Sequence, residues 1–201
     1  MILVTLLILY IVYENHTRNK ELLKYAQTDA LTGLYNKETT EQLTDELLSE
    51  DENKYHAIFD FWMWTDFKQI NDIYGHAVGD IVLQKFGKLL KGTFREGDIL
   101  GRIGGDEFGV IMKNIQTKDI AMKKAEELLA KTQAYKIDEL KGNNISISIG
   151  ISTAPQDGDC YMDLYKRADQ ALYQAKSKWK SKSVQLFLMK IVFYQFYHSS
   201  R

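Results

Sequence analysis

The stretch Ile99-Leu-Gly-Arg-Ile-Gly-Gly-Asp-Glu-Phe-Gly-Val-Ile-Met112 decides the fold. Ile99–Ile103 and Phe108–Met112 are apolar runs of strand length, separated by Gly104-Gly-Asp-Glu107. Both glycines can take positive φ, so the pair predicts a β-hairpin. Working back from it, Ile81, Val82, Phe86, Leu89, Leu90 and Phe94 mark one face of a helix opening near Gly79-Asp80. His56–Trp64 is a continuous apolar and aromatic run, as in a strand covered on both faces. Further back, Lys37–Leu48 has helical spacing, Thr28 or Asp29 is placed to cap free backbone N–H groups, and Asn15–Ala26 reads as a polar helix.

Working forward, Thr117 is placed to cap a helix to about Thr132, with Ile120, Leu128 and Leu129 inward. Ser146–Ser152 alternates Ser and Ile as a strand does; Asp163–Lys178 predicts a last helix and Ser183–Phe187 a last strand. Strand, helix, strand, strand, helix, strand is the split βαβ order of an α+β, ferredoxin-like fold, here preceded by an N-terminal helix.

The chain has 201 residues, 45% hydrophobic and 26% charged, which suits one globular domain with a modest attachment. Lys plus Arg number 26 and Asp plus Glu 27, so no basic surplus favours a nucleic acid polymer as partner. The single cysteine, Cys160, excludes an internal disulfide and a cysteine-cluster metal site. Met1–Tyr13 carries no charged side chain. As a helix it covers about 20 Å against the roughly 30 Å of a bilayer core. It reads as the distal half of a membrane helix whose beginning is missing or very short, or else as a helix packed on a partner. Arg18, Lys20 and Lys24 follow it, which places the rest in the cytoplasm, tethered to the inner face of the membrane. The organisation is then an apolar helix over 1–13, a linker helix over 14–28, the domain over 29–187 and an apolar tail of unassigned role over 188–201.

Two stretches carry chemistry. Arg102–Phe108 sets two acids beside a turn without side chains, where a bulky anion can come close and a carboxylate can hold a divalent metal against its phosphates. An ordinary hairpin with its acids in water fits the spacing equally well. Phe67-Lys-Gln-Ile-Asn-Asp72 and Gly75-His-Ala-Val-Gly-Asp80 gather a cation, an amide and a carboxylate. Asn71 and Asp80 can read guanine, the carboxylate accepting from its N1–H and amino group. Helix capping explains the same two residues.

Six motifs stand in one order: Asp29-x-Leu-Thr-Gly-Leu-x-Asn36, Phe67-Lys-x-Ile-Asn-Asp72, Gly75-His-x-x-Gly-Asp80, Gly104-Gly-Asp-Glu-Phe108, Ser148-Ile-Gly150 and Ala171-Leu-Tyr-x-Ala-Lys176. Together they resemble the GGDEF family, the diguanylate cyclases of bacterial second-messenger signalling, from about Leu22 to Phe187. The resemblance implies a fold similar to nucleotidyl cyclases and the polymerase palm. It implies a homodimer in which each GTP 3′-hydroxyl attacks the other's α-phosphate, giving cyclic di-GMP and two pyrophosphates with Mg²⁺ or Mn²⁺. Carried over by position, Asp106 is the metal ligand and Glu107 assists the attacking hydroxyl. Asn71 and Asp80 read guanine, while Lys68, Gly105, Lys176 and Lys180 meet the rest of the substrate. Arg95 and Asp98 match an inhibitory cyclic di-GMP site; a surface ion pair is the plainer reading.

One departure matters. The family's strand before Phe67 ends in Asp-x-Asp, and those positions hold Met63 and Thr65 here, or Trp62 and Trp64 in the neighbouring register. A thioether is a poor ligand for Mg²⁺, so a weakened metal site and weak or absent cyclase activity are expected. The alternative function is a degenerate domain that senses cyclic di-GMP or GTP and signals to a partner.

Overall fold

A computed structural model describes residues 2–50, 55–63, 67–143, 145–179 and 190–193. The elements in order are α1 (Ile2–Gln27), α2 (Lys37–Glu50), β1 (His56–Met63), α3 (Phe67–Tyr74), α4 (His76–Lys91), β2 (Ile99–Gly104), β3 (Glu107–Met112), α5 (Lys118–Ala134), β4 (Ile147–Ala154), α6 (Tyr161–Trp179) and β5 (Lys190–Phe193). The sheet order is β2-β3-β1-β4-β5. Its first four strands are antiparallel neighbours, and β5 adds in parallel to β4. The interleaving β1-α4-β2-β3-α5-β4 is the split βαβ arrangement that the hydrophobic pattern implies.

Alternation along the central strand separates two apolar layers. Ala57 and Phe59 of β1 join Phe108 and Val110 of β3 under Val82, Phe86 and Leu90 of α4 and Ala125 and Leu128 of α5. Ile58 and Ile111 face the other way, with Leu48 of α2 and Leu164 of α6. Phe86 meets Phe108 edge-on at 4.9 Å between ring centroids, locking α4 to the hairpin strand. On β4, a Cβ at Gly150 would lie 2.1 Å from the Ala168 carbonyl oxygen, so its absence sets how closely α6 approaches the sheet.

Several expectations need correction. The helix expected near Gly79 begins at His76, because Gly75 at φ 84° turns the chain straight out of α3. Thr117 occupies the N-cap position of α5 without a side-chain capping bond. Ile120 is exposed; Ala121 and Ala125 line that face instead. Only Gly105 of the hairpin pair has positive φ. The expected strand over Ser183–Phe187 lies outside the described residues, while Lys190–Phe193, inside the supposed tail, pairs with β4.

In α1 the apolar residues Val4 and Leu6–Tyr13 are 46–70% exposed. Among the described residues no helix is long and apolar enough to cross a membrane.

Candidate functional site

The hairpin turn is two residues, Gly105-Asp106, closing between Gly104 and Glu107 with an irregularity after Arg102. Gly105 adopts φ 34°. The Arg102 guanidinium holds this turn. Its Nε and Nη2 donate to the Gly105 carbonyl at 3.0 and 2.7 Å, while Nη1 lies 3.2 and 3.1 Å from the two Asp29 carboxylate oxygens. Burial raises the Asp29 pKa, but the hydrogen bonds from the Thr32 hydroxyl and N–H, and the nearby Arg102, outweigh it and hold the carboxyl below its usual range. Tyr35 pairs alongside β2, its N–H donating to Leu100 and its carbonyl accepting from Arg102. The end of α1 joins the same frame: Asn36 donates from its side chain to the Ala26 carbonyl and from its N–H to that of Gln27. Asp29, Thr32 and Asn36 thus convert a turn-rich break into a rigid link between α1 and the Gly105 carbonyl.

Asp106 is half-buried in the turn. Glu107 opens β3 opposite Trp62 and accepts from the Tyr165 hydroxyl of α6. Met63 ends β1 opposite Ile147. Asp60 sits opposite Gly109 and Gly150, three positions back along the strand. Trp64, Thr65 and Asp66 lie outside the described residues. Among the described residues, the one group of three acid, His or Cys ligands is Asp159, Cys160 and Asp163 at the start of α6, away from the hairpin turn in sequence and element.

The α3–α4 unit gathers Asn71 and Asp80. Ile70 is buried and anchors α3 in the core under Val82 and Phe86. The Gly75 N–H donates to the Asn71 carbonyl at 2.9 Å and closes the turn. The Asn71 side chain lies against Gly79, the residue before Asp80. Lys68 and Asp80 are exposed at the surface. Lys176 falls on α6, and Lys180 lies outside the described residues.

Arg95 and Asp98 form a turn, not a simple surface pair. The Asp98 side chain is 1% exposed against 59% for Arg95. Its carboxylate accepts from the Arg95 N–H at 3.2 Å, the Arg95 Nε at 3.0 Å and the Lys113 N–H at 3.2 Å. The Arg95 Nη2 donates to the Lys113 carbonyl. A cavity of about 460 Å³ opens beside them, lined also by Phe94, Met112, Ile120 and Lys124. Sequence reading missed the Asp29–Arg102 bridge and the Tyr165 contact to Glu107, because both join residues 58 or more positions apart. An Arg two residues before Gly104 was the available signal for the first.

Comparison with known proteins gives the same picture. The family description "Diguanylate cyclase, GGDEF domain" matches residues 26–182. The chain is 34% identical over 175 residues to the response regulator PleD of Caulobacter vibrioides, covering 84% of this chain and 38% of PleD. It is 34% identical over 160 residues to the diguanylate cyclase TpbB of Pseudomonas aeruginosa, covering 79% of this chain and 37% of TpbB. The signaling protein YkoW of Bacillus subtilis is 34% identical over 183 residues, covering 87% of this chain and 22% of YkoW. The chain therefore spans well under half the length of these relatives. The crystallised GGDEF domain of TpbB superposes with a TM-score of 0.73 at 29% identity, covering 84% of this chain and 94% of that one. The coiled coil and GGDEF domain of DgcB from Caulobacter crescentus, in complex with cyclic di-GMP, shares the fold with a TM-score of 0.78 at 20% identity, covering 92% and 94%. With its six motifs, its hairpin and these relatives in agreement, the chain belongs to the GGDEF family of diguanylate cyclase domains.

Proposed function

We propose that this chain binds GTP and condenses two molecules to cyclic di-GMP, slowly. The observation that carries this reading is the hairpin turn itself: Asp106 beside a glycine turn whose carbonyl is pinned by the Arg102 fork. Asn71 and Asp80 hold the guanine, and Lys68, Gly105, Lys176 and Lys180 meet the rest of the nucleotide. The 3′-oxygen of one GTP bonds to the α-phosphorus of the other and pyrophosphate leaves; the second bond closes the ring. Glu107 takes the hydroxyl proton, and its carboxylate is held as an acceptor by the Tyr165 hydroxyl.

The donor set does not fit a Mg²⁺ or Mn²⁺ pair well. Among the described residues the turn supplies the Asp106 carboxylate, and Met63 offers a thioether where a second oxygen ligand is needed. Two copies face each other because the product joins two identical halves, and α1 provides the contact: its exposed apolar residues pack on the second copy or enter the membrane face.

A second reading is favoured by Met63 and the 460 Å³ cavity at Arg95 taken together: a domain that holds cyclic di-GMP and signals without making it. The full chain incubated with GTP and Mn²⁺ or Mg²⁺, with products separated by chromatography, decides between them. Slow cyclic di-GMP formation that Asp106→Ala abolishes is the expected result. GTP left unchanged, with cyclic di-GMP bound, moves the chain to the second reading.

A further inference from the structure

We infer that Gly79 is a positioning residue for base selection: its missing side chain leaves the space in which the Asn71 carboxamide sits beside Asp80. This rests on the guanine-binding reading above and deepens it. Helix α4 covers His76–Lys91, so Gly79 lies inside a helix, where alanine is ordinarily the better residue. Nothing in its backbone asks for glycine, since its φ is not among the positive ones. The reason lies across the turn. A Cβ built on Gly79 would stand 2.1 Å from Asn71 Oδ1, 3.1 Å from Asn71 Cγ and 3.2 Å from Phe67 Cζ. The first distance is far inside van der Waals contact, so Asn71 would have to leave. Gly79 itself is buried, Asn71 half-buried and Asp80 exposed, which orders them from helix backbone outward to solvent.

The consequence is chemical. The Asp80 carboxylate can accept from the amino group and N1–H of one purine edge, and the Asn71 carboxamide, its Oδ1 held against Gly79 one residue before, fixes where that edge lies. Hypoxanthine has the N1–H and lacks the amino group. A site whose polar groups are built for the amino group leaves an acceptor unpaired with hypoxanthine, which is where discrimination arises. Moving Asn71 off Gly79 removes part of that penalty along with part of the guanine affinity.

The experiment uses the full chain with GTP and inosine triphosphate, binding read by calorimetry, and four proteins: wild type, Gly79→Ala, Asn71→Ala and the double variant. The expected result is that Gly79→Ala weakens GTP binding about tenfold and narrows the GTP-to-inosine ratio to that of Asn71→Ala, with the double variant no worse than Asn71→Ala. Melting temperatures give a second readout that needs no nucleotide. Gly79→Ala is expected to lower the melting temperature by about 3 °C in wild type and to raise it in the Asn71→Ala background. Wild-type preference for GTP retained by Gly79→Ala overturns the inference alone. No preference for GTP in wild type overturns the guanine-binding reading on which it rests. A melting temperature raised by Gly79→Ala in both backgrounds overturns the packing itself.

Discussion

The α3–α4 unit and the end of β1 differ in how well each is built for one nucleotide. The first has the parts that the proposed base site needs: Ile70 buried as an anchor, Gly75 at φ 84° in the turn, Gly79 cleared for Asn71, and Asp80 exposed. The second is regular in its backbone, β1 pairing continuously with β4 to Met63↔Ile147, and the resemblance puts Met63 where the family has a carboxylate. Base recognition needs hydrogen-bond donors and acceptors at a surface, whereas phosphoryl chemistry needs concentrated negative charge around a cation. The two requirements are separable, and on the reading proposed above only the second is relaxed.

The largest effect comes from repairing the weaker region. Met63→Asp together with Thr65→Asp is expected to raise the rate of cyclic di-GMP formation by about 100-fold or more, since several kcal/mol of charge compensation returns. GTP affinity measured in the absence of divalent metal is expected to fall, since two added carboxylates then repel the triphosphate. Rates measured under saturating GTP test this, and a double variant no faster than wild type sinks the metal argument.

A smaller effect concerns the region that belongs to neither. Arg95→Ala is expected to weaken cyclic di-GMP binding at least about tenfold in calorimetry, because its exposed guanidinium lines the cavity where a guanine or phosphate would enter. Asp98→Ala is expected to lower the melting temperature as well, since its buried carboxylate accepts from three donors of its own chain. Cyclic di-GMP bound equally by wild type and Arg95→Ala removes this site from the protein.

The fold was legible because its signals are local. The apolar run at His56, the Gly-Gly pair and the Ser–Ile alternation each name an element without reference to the rest. The helix start at His76 was missed because Gly75 supplies a turn that no apolar period marks. Ile120 misled because small residues, Ala121 and Ala125, carry the buried face of α5 and contribute little to a hydrophobic pattern. At the site, Asn71, Asp80 and Asp106 were legible as chemistry-bearing residues beside glycines. Their supports were not: Arg102 reaches Asp29 across 73 positions, and Tyr165 reaches Glu107 across 58. The burial of Asp98 was not legible, because a carboxylate looks the same in sequence whether water or its own backbone satisfies it.

The smallest effect tests whether the hairpin half of the site is held as firmly as the base-reading half. Asp29 carries a pKa held below the usual carboxylate range in the folded chain. A group with a depressed folded pKa contributes stability above its unfolded pKa and loses it as pH falls through the folded value. Asp29→Asn keeps the shape but drops the charge that holds the Arg102 fork at 3.1 Å. The expected cost near pH 7 is about 1 kcal/mol, modest because the pair is partly in water, or about 3 °C in melting temperature. As pH falls below the ordinary carboxylate value of about 3.9 the difference begins to shrink, and the two melting curves converge only below the depressed folded value. Curves that stay parallel from pH 7 to pH 3 would mean that the fork is held by the Gly105 carbonyl alone. The turn would then owe its position to β2 and β3, and the end of α1 would have no electrostatic grip on Asp106.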